Sequence, residues 1–494
     1  MRILYLDIDA LRADHLGCYG YHRDTSPNID RVAAEGVRFN NCYVTDAPCL
    51  PSRTALMTGQ FGIHTGVVNH GGTAADLRLQ GESRGFMDNL RFHSLPGYLN
   101  STCGLHTCYI GGFGQRHTTW SFYAGFREIH DTGMCGMESA EDVSPAVLDW
   151  IERRGGGDDW FLYLNYWDPH TPVRVPAAFG NPFANDPLPA HFDQALIDGH
   201  MKRPGPHTIL DIGMYDDNTL PEYPRHPGKV TDMDEMRQLI DGYDCGIRYA
   251  DEHIGKLLDA LDRQGVLDEL VIIISADHGE NYGELGIYAE HGTADHACCR
   301  IPMIIRWPGK AKAGYTDDGL HYHLDLGPTL AELTHNEPRQ EWDGRSYAAS
   351  VTAAADTGRD YLVLGQCAHG CQRAVRWDDW IYIRSWHDGY HCWDDELLFN
   401  LKDDPYEQQN VRDQHPDVVE TARRYYDEWH NEMLASMPYG YREDPLQTAL
   451  REAPYHCATD LAAYCKRLEA TGRGEWVAVI RERHPKMFAT RDDA

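Results

Sequence analysis

The sequence predicts an α/β fold in which a mixed sheet is flanked by helices and followed by a smaller C-terminal unit of antiparallel strands and a helix. Three observations carry this reading. Apolar runs at residues 3–9, 107–111, 160–166 and 270–275 have the unbroken hydrophobicity of strands covered on both faces. Residues 233–264 place Tyr243, Ile247, Ala250, Ile254, Leu257 and Leu258 at the spacing of one buried helix face. After Gly309 the pattern changes to short alternating strands at 361–364, 373–376 and 380–384.

Composition narrows the function. A chain of 494 residues can bury one large core and a smaller domain, and 42% hydrophobic content with aromatics throughout excludes disorder. Lysine and arginine number 45 against 76 acidic residues, a net charge of −31, which disfavours nucleic acid or an anionic membrane as partner. An anionic substrate would need a locally positive pocket. Residues 1–7 enter a strand pattern directly, without a secretory leader, and no apolar run approaches membrane-spanning length. The expectation is a soluble cytoplasmic protein whose scattered cysteines are reduced. Cys103/Cys108, Cys298-Cys299 and Cys367/Cys371 lack the spacing of a zinc site and read as structural thiols.

Taken in order, the first strand ends in Asp7 and Asp9. Two residues apart on a strand they share a face, roughly 7 Å from each other, and can approach one cation. A lone Asp-x-Asp is more often a loop or capping pair, so it needs a partner downstream. Residues 26–36 read as a packing helix with proline near its start and glycine at its end. In Cys49-Leu50-Pro51-Ser52-Arg53 the flanking prolines hold the chain extended, and Ser52 to Met57 opens a helix. Cys49 is therefore expected beside a helix N-terminus, where an anion is best received. Gly62 to Gly66, with His64, and Asn69 to Gly72 form a polar loop that reads as substrate-facing or as a plain turn.

The strand at 107–111 breaks into glycine and ends in Arg116-His117. The strand at 160–166 runs into Trp167-Asp168-Pro169-His170-Thr171-Pro172, a rigid turn holding His170. Residues 173–230, rich in Pro, Gly, His and Asp, read as an irregular insertion of the kind that covers sites. The strand at 270–275 delivers Asp277-His278, the partner that Asp7 and Asp9 require. His291 and His296 precede an apolar strand closing in Trp307-Pro308-Gly309, and a helix follows at 323–333. Residues 417–433 form an amphipathic helix, and the tail from Pro438 is polar with helical stretches. The expected division is a catalytic domain at 1–345, an α+β subdomain at 346–437 and an extension at 438–494.

The Cys49 to Arg53 stretch resembles the C-x-P-S-R signature of formylglycine-dependent sulfatases, in which the cysteine is oxidised to an aldehyde whose hydrate is the nucleophile. Segment 25–43, the turn holding His170, Asp277-His278-Gly279 and the Trp-Pro-Gly strand also resemble that family, over residues 1–435. The resemblance implies an alkaline-phosphatase-like fold and hydrolysis of a sulfate ester. It implies a divalent cation, calcium first with magnesium or manganese as alternatives, on Asp9, Asp277, His278 and modified Cys49, with Asp7 assisting. Arg53 would fix the hydrate, His170 or His291 protonate the leaving alcohol, and His117 take the proton of the second hydroxyl. Arg116, His64 and His296 would meet the substrate.

Three departures stand out: Ala10 replaces a second acid after Asp9, the strand before Arg116 lacks the family's Gly-Lys-x-His, and His291 stands where sulfatases have lysine. By analogy the substrate is a small sulfated saccharide, such as a glycosaminoglycan-derived disaccharide, attacked from its end, and a formylglycine-generating enzyme is an implied partner. The alternatives are a phosphonate monoester or phosphodiester hydrolase of the same superfamily and a non-catalytic glycan-binding protein in which Cys49 stays a thiol.

Overall fold

The computed structural model describes residues 1–78, 90–204, 221–457 and 461–488. Its strands are β1 (Arg2–Ile8), β2 (Val37–Tyr43), β3 (Asp46–Ala47), β4 (His106–Ile110), β5 (Glu128–His130), β6 (Trp160–Tyr166), β7 (Val271–Ser275), β8 (Asn281–Tyr282), β9 (Tyr288–Glu290), β10 (Arg300–Arg306), β11 (Tyr315–Tyr322), β12 (Leu362–Gln366), β13 (Cys371–Trp377), β14 (Trp380–His387) and β15 (Glu396–Asn400). Eight of them form one sheet in the order β11-β2-β10-β7-β1-β6-β4-β5. β1 lies inside it, parallel to β6 and β7, with Tyr5 opposite Tyr163 and Ile273. β10 runs antiparallel between β7 and β2, which makes the sheet mixed as expected. Every residue of β6 and β7 is buried, the physical reason their sequences show no alternation. Because β1, β4, β6 and β7 run in parallel, their C-terminal ends meet along one edge, and the polar residues that end these runs are brought together there.

Helices cover the sheet. The longest, Met233–Arg263, starts where the Asp232 side chain accepts from the Asp234 and Glu235 amides and stops just before Gly265, whose φ of +71° ends the helical path. It packs on the Ala140–Trp150 and Pro27–Ala34 helices, and Leu239, Ile240, Ile247 and Leu258 are among its buried residues. Each such fully buried aliphatic side chain is worth about 1.5–3 kcal/mol of transfer free energy.

The second sheet has the order β15-β14-β13-β12-β3, and here the structure departs from the expected purely C-terminal unit. Its edge strand is β3, two residues from the N-terminal half, paired parallel to β12 with Asp46 opposite Gly365 and Ala47 opposite Gln366. Two residues are too few to show a period of two, so no pattern announces this strand. A buried ion pair between Asp46 and Arg373, 2.6 Å long, fastens it. The segment 173–230 holds a helix at Gln194–His200, and its residues 205–220 lie outside those described. The tail forms helices at Leu446–Glu452, Leu461–Ala470 and Glu475–Arg483, which pack against Cys371 and Tyr390 of the second sheet and its loops. All fourteen cysteines are free thiols, and among the described residues no helix is long and apolar enough to cross a membrane.

Candidate active site

Cys49 is the first residue of the Cys49–Thr58 helix, every residue of which is buried, so the cysteine stands at the helix N-terminus beside the sheet edge. Its thiol donates to His278 Nε2 at 3.0 Å. The other ring nitrogen, Nδ1, donates to Gly279 O at 2.7 Å, which fixes the tautomer and leaves the Nε2 lone pair facing Cys49. Ligand atoms of Asp9, Cys49, Asp277 and His278 all lie within 4.8 Å of one another. Asp9 Oδ1 is buried with no hydrogen-bond partner, while His170 Nε2 and His278 Nε2 stand 3.8 and 3.9 Å from it. A carboxylate oxygen stripped of water and left unpaired calls for a cation. Two carboxylates, one imidazole and one position that becomes an oxygen donor on oxidation suit a hard divalent ion, so the residues fit the metal the sequence implies.

Arg53 spans three buried carboxylates. Its Nη1 donates to Asp277 Oδ2 at 2.6 Å, Nη2 to Asp9 Oδ2 at 2.9 Å and Nε to Asp7 Oδ2 at 2.8 Å, with the guanidinium over the Phe113 ring. The same Asp7 oxygen accepts from Tyr163 at 2.7 Å. The structure thus gives Asp7 the work of aiming Arg53. Ala10, at a φ of +56°, puts its backbone N–H on Asp277 Oδ1 where the sulfatase pattern has an acid. Burial raises Asp277 above the usual carboxylate range. Against its own burial, Arg53 together with His170 and His278 holds Asp9 below that range. Burial, then Asp9 and Asp277, push the Cys49 thiol well up, so the unmodified thiol is a poor nucleophile.

Above Cys49 opens a cavity of about 410 Å³ lined by Arg116, His117, His170 and His291, as the sequence leads one to expect. Burial lowers His170 to about 3 and His117 to about 3, and it holds His291 well below the ordinary imidazole value with His278 nearby. All three are neutral in the free site and gain proton affinity only when a negative charge enters. Two predicted substrate contacts are corrected. His64 bonds Asp343 at 2.7 Å and Ser436 at 3.0 Å, tying its loop to the end of the Pro416–Ser436 helix. His296 meets the Tyr43 hydroxyl at 2.9 Å and does not line the cavity. Seven wall residues were not foreseen as site residues: His70, Thr118, Cys135, Thr171, Glu290, Tyr455 and His456. His70 lies in the glycine-rich loop and Glu290 precedes His291, which are weak signals, while the tail residues gave none.

The profile of the family described as Sulfatase matches residues 2–336. The chain belongs to the sulfatase family. The sulfatase is accordingly a sulfuric ester hydrolase, and a second profile, N-sulphoglucosamine sulphohydrolase C-terminal, matches its residues 283–431. N-acetylglucosamine-6-O-sulfatase of Bacteroides thetaiotaomicron is 25% identical over 473 residues, covering 83% of this sulfatase and 82% of that protein. A solved complex of a protein with its substrate D-glucosamine-2-N,6-O-disulfate superposes with a TM-score of 0.68 at 19% identity, over 88% of this chain and 98% of that one. The phosphonate monoester hydrolase of Silicibacter pomeroyi superposes with a TM-score of 0.66 at 20% identity, over 89% and 96%. Both solved structures share the sulfatase's fold.

Proposed function

We propose that this sulfatase acts on carbohydrates, removing sulfate from the ends of small saccharides such as glycosaminoglycan-derived disaccharides. The cavity carries this reading. At about 410 Å³ it takes a sugar-sized ligand, and Tyr455 and His456 from the tail are part of its wall. The relative named for N-acetylglucosamine 6-sulfate and the fold neighbour bound to a disulfated glucosamine support it.

With formylglycine at position 49 and a divalent cation on Asp9, Asp277 and His278, the site gains an oxygen nucleophile and positive charge toward a sulfuryl group. The side chains do the rest. Arg116 at the rim receives the anion, and Arg53, held by Asp7, adds fixed charge where the transition state accumulates it. His170 gives its Nδ1 proton to Thr171 O, and His291 directs Nδ1 at Glu280. Each then turns Nε2 the other way, His170 toward Asp9 and His291 toward Glu290, and one of them, charged in the field of the bound sulfate, protonates the leaving alcohol. His117, whose Nε2 has no hydrogen-bond partner, takes a proton in the second half of the turnover.

The test is sulfate release from a panel of sulfated mono- and disaccharides, using protein co-expressed with a formylglycine-generating enzyme. Release from one or a few sugars, reduced at least about 10⁴-fold in Cys49→Ala, is expected. One observation favours a second reading. The backbone amide of Ala10 in place of an acid leaves the metal cluster less negative, which eases entry of a phosphoryl anion. Turnover of a phosphonate monoester, with none of any sulfated sugar, would make that second reading the correct one.

A further inference from the structure

A second cluster adjoins the first. Glu290, at the end of β9, has its Oε1 3.4 Å from His291 Nε2 and 3.4 Å from His369 Nε2. His369 Nε2 is buried without a hydrogen-bond partner. His291 Nδ1 lies 3.3 Å from Glu280 Oε1, and the tautomer that carries its proton there leaves the lone pair on Nε2. Three electron-pair donors from two separate loops thus converge, and the ligand atoms of all three residues lie within 4.8 Å of one another. The spacing is informative, because a tetrahedral zinc ion with bonds of about 2.1 Å holds its ligand atoms about 3.4 Å apart.

We propose that Glu290, His291 and His369 form a second metal site, distinct from the Asp9–Cys49 cluster, which takes a divalent transition metal of the zinc type. Two imidazoles and one carboxylate suit such an ion better than the oxygen-seeking cation of the first cluster. The surroundings are built to hold the three ligands still. Gln366, at the end of β12, donates to His291 O at 2.6 Å and accepts from the Ala368 and His369 amides at 2.6 and 3.1 Å, clamping both loops through one buried amide. His456 stacks on His369 with ring centroids 4.0 Å apart and is itself fixed by His70 at 3.1 Å. Glu280 behind His291 is the outer carboxylate that metal-bound histidines commonly have.

Glu290 and His291 also line the cavity, so the fourth position of the ion is open to water or to a hydroxyl of the substrate. The ion places a fixed positive charge on a wall whose histidines are neutral. With Nε2 of His291 engaged, protonation of the leaving alcohol falls to His170.

The test is zinc binding to the full chain in excess calcium, read by competition with a chromophoric chelator and by elemental analysis. Wild type is expected to hold one zinc. Glu290→Gln and His369→Gln should each weaken it by more than about 100-fold, beyond what loss of an outer partner costs, with calcium retained. Asp277→Asn should weaken calcium and leave zinc in place. X-ray absorption at the zinc edge should show nitrogen and oxygen neighbours without sulfur. No zinc in wild type, unchanged affinity in both the Glu290 and His369 variants, zinc lost with Asp277→Asn, or a sulfur neighbour from Cys49 would each overturn the proposal. Far-UV circular dichroism and thermal melts establish that each variant is folded, and the two ligand variants must agree.

Discussion

Replacing Arg53 with Met removes the one cation shared by Asp7, Asp9 and Asp277 while keeping a long apolar stem over Phe113. All four side chains are at most 1% exposed, so water cannot take the guanidinium's place. Removing one partner of a buried ion pair costs about 3–5 kcal/mol, and here three partners are orphaned together. Against a total stability of about 5–15 kcal/mol, the metal-free variant loses about a fifth or more of what holds it folded. A divalent cation bound at the cluster supplies the missing charge, so calcium should recover much of the loss by binding only the folded chain.

The sign of the pH dependence follows from the carboxylates. Burial raises Asp7 to about 6 even with Arg53 present, above its unfolded value near 3.9. A carboxyl whose folded pKa is raised destabilises the fold above that pKa, and the cost disappears as pH falls toward the unfolded value. Without Arg53 Asp7 and Asp277 rise further and Asp9 loses the main partner that holds it down, so the deficit should shrink between about pH 7.5 and pH 5. The assay is urea unfolding of wild type and Arg53→Met in chelator and in calcium at both pH values. A deficit below about 1 kcal/mol in chelator, one equal with and without calcium, or one that grows on acidification would refute the reasoning.

Three further outcomes are expected. If His170 is the proton donor, His170→Ala should slow a poor-leaving-group sugar sulfate by about 10²–10⁴ while barely affecting an aryl sulfate, and His291→Ala should show no such contrast; steady-state rates on the two substrate types decide it. His64→Ala should lower the thermal midpoint, losing about 1–3 kcal/mol with its Asp343 and Ser436 bonds, yet leave kcat/KM within about twofold, because the ring faces the end of the Pro416–Ser436 helix. Tyr455→Ala should raise KM for saccharides by about tenfold, about 1.4 kcal/mol, and leave aryl sulfate turnover unchanged; equal effects on both would remove the tail from substrate binding.

Much of the reacting centre was legible because strands covered on both faces must end where polarity begins. Asp9 and Asp277-His278 are the first polar residues after such runs, and parallel pairing of β1 with β7 brings them to one edge. Cys49 and Arg53 were legible through their motif, His170 through the prolines beside it. His64 and His296 were misassigned because nearness in sequence to an active-site segment says nothing of which way a side chain points. His64 points to Asp343, and His296 to Tyr43. His369 and His456 carry no local signal at all. His456 reaches the cavity because the tail returns across the second sheet, and His369 meets Glu290 from the loop after β12; contacts over such separations leave no trace in a window of a dozen residues.

The clamp on β3 also sets a clock. Cys49 is only 2% exposed in the folded chain, so the modifying enzyme of the proposed function would have to act before the motif is enclosed. The ion pair that fastens β3, next to the cysteine motif, needs Arg373, which lies 327 residues after its partner Asp46. At a synthesis rate of about 5–20 residues per second, roughly 16–65 s pass between the emergence of the two. The last partner of the cysteine loop is thus made long after the cysteine itself. If Cys49 is converted to formylglycine as proposed, that interval is when a modifying enzyme would meet an open motif, and a molecule that passed through it unmodified would close around a thiol.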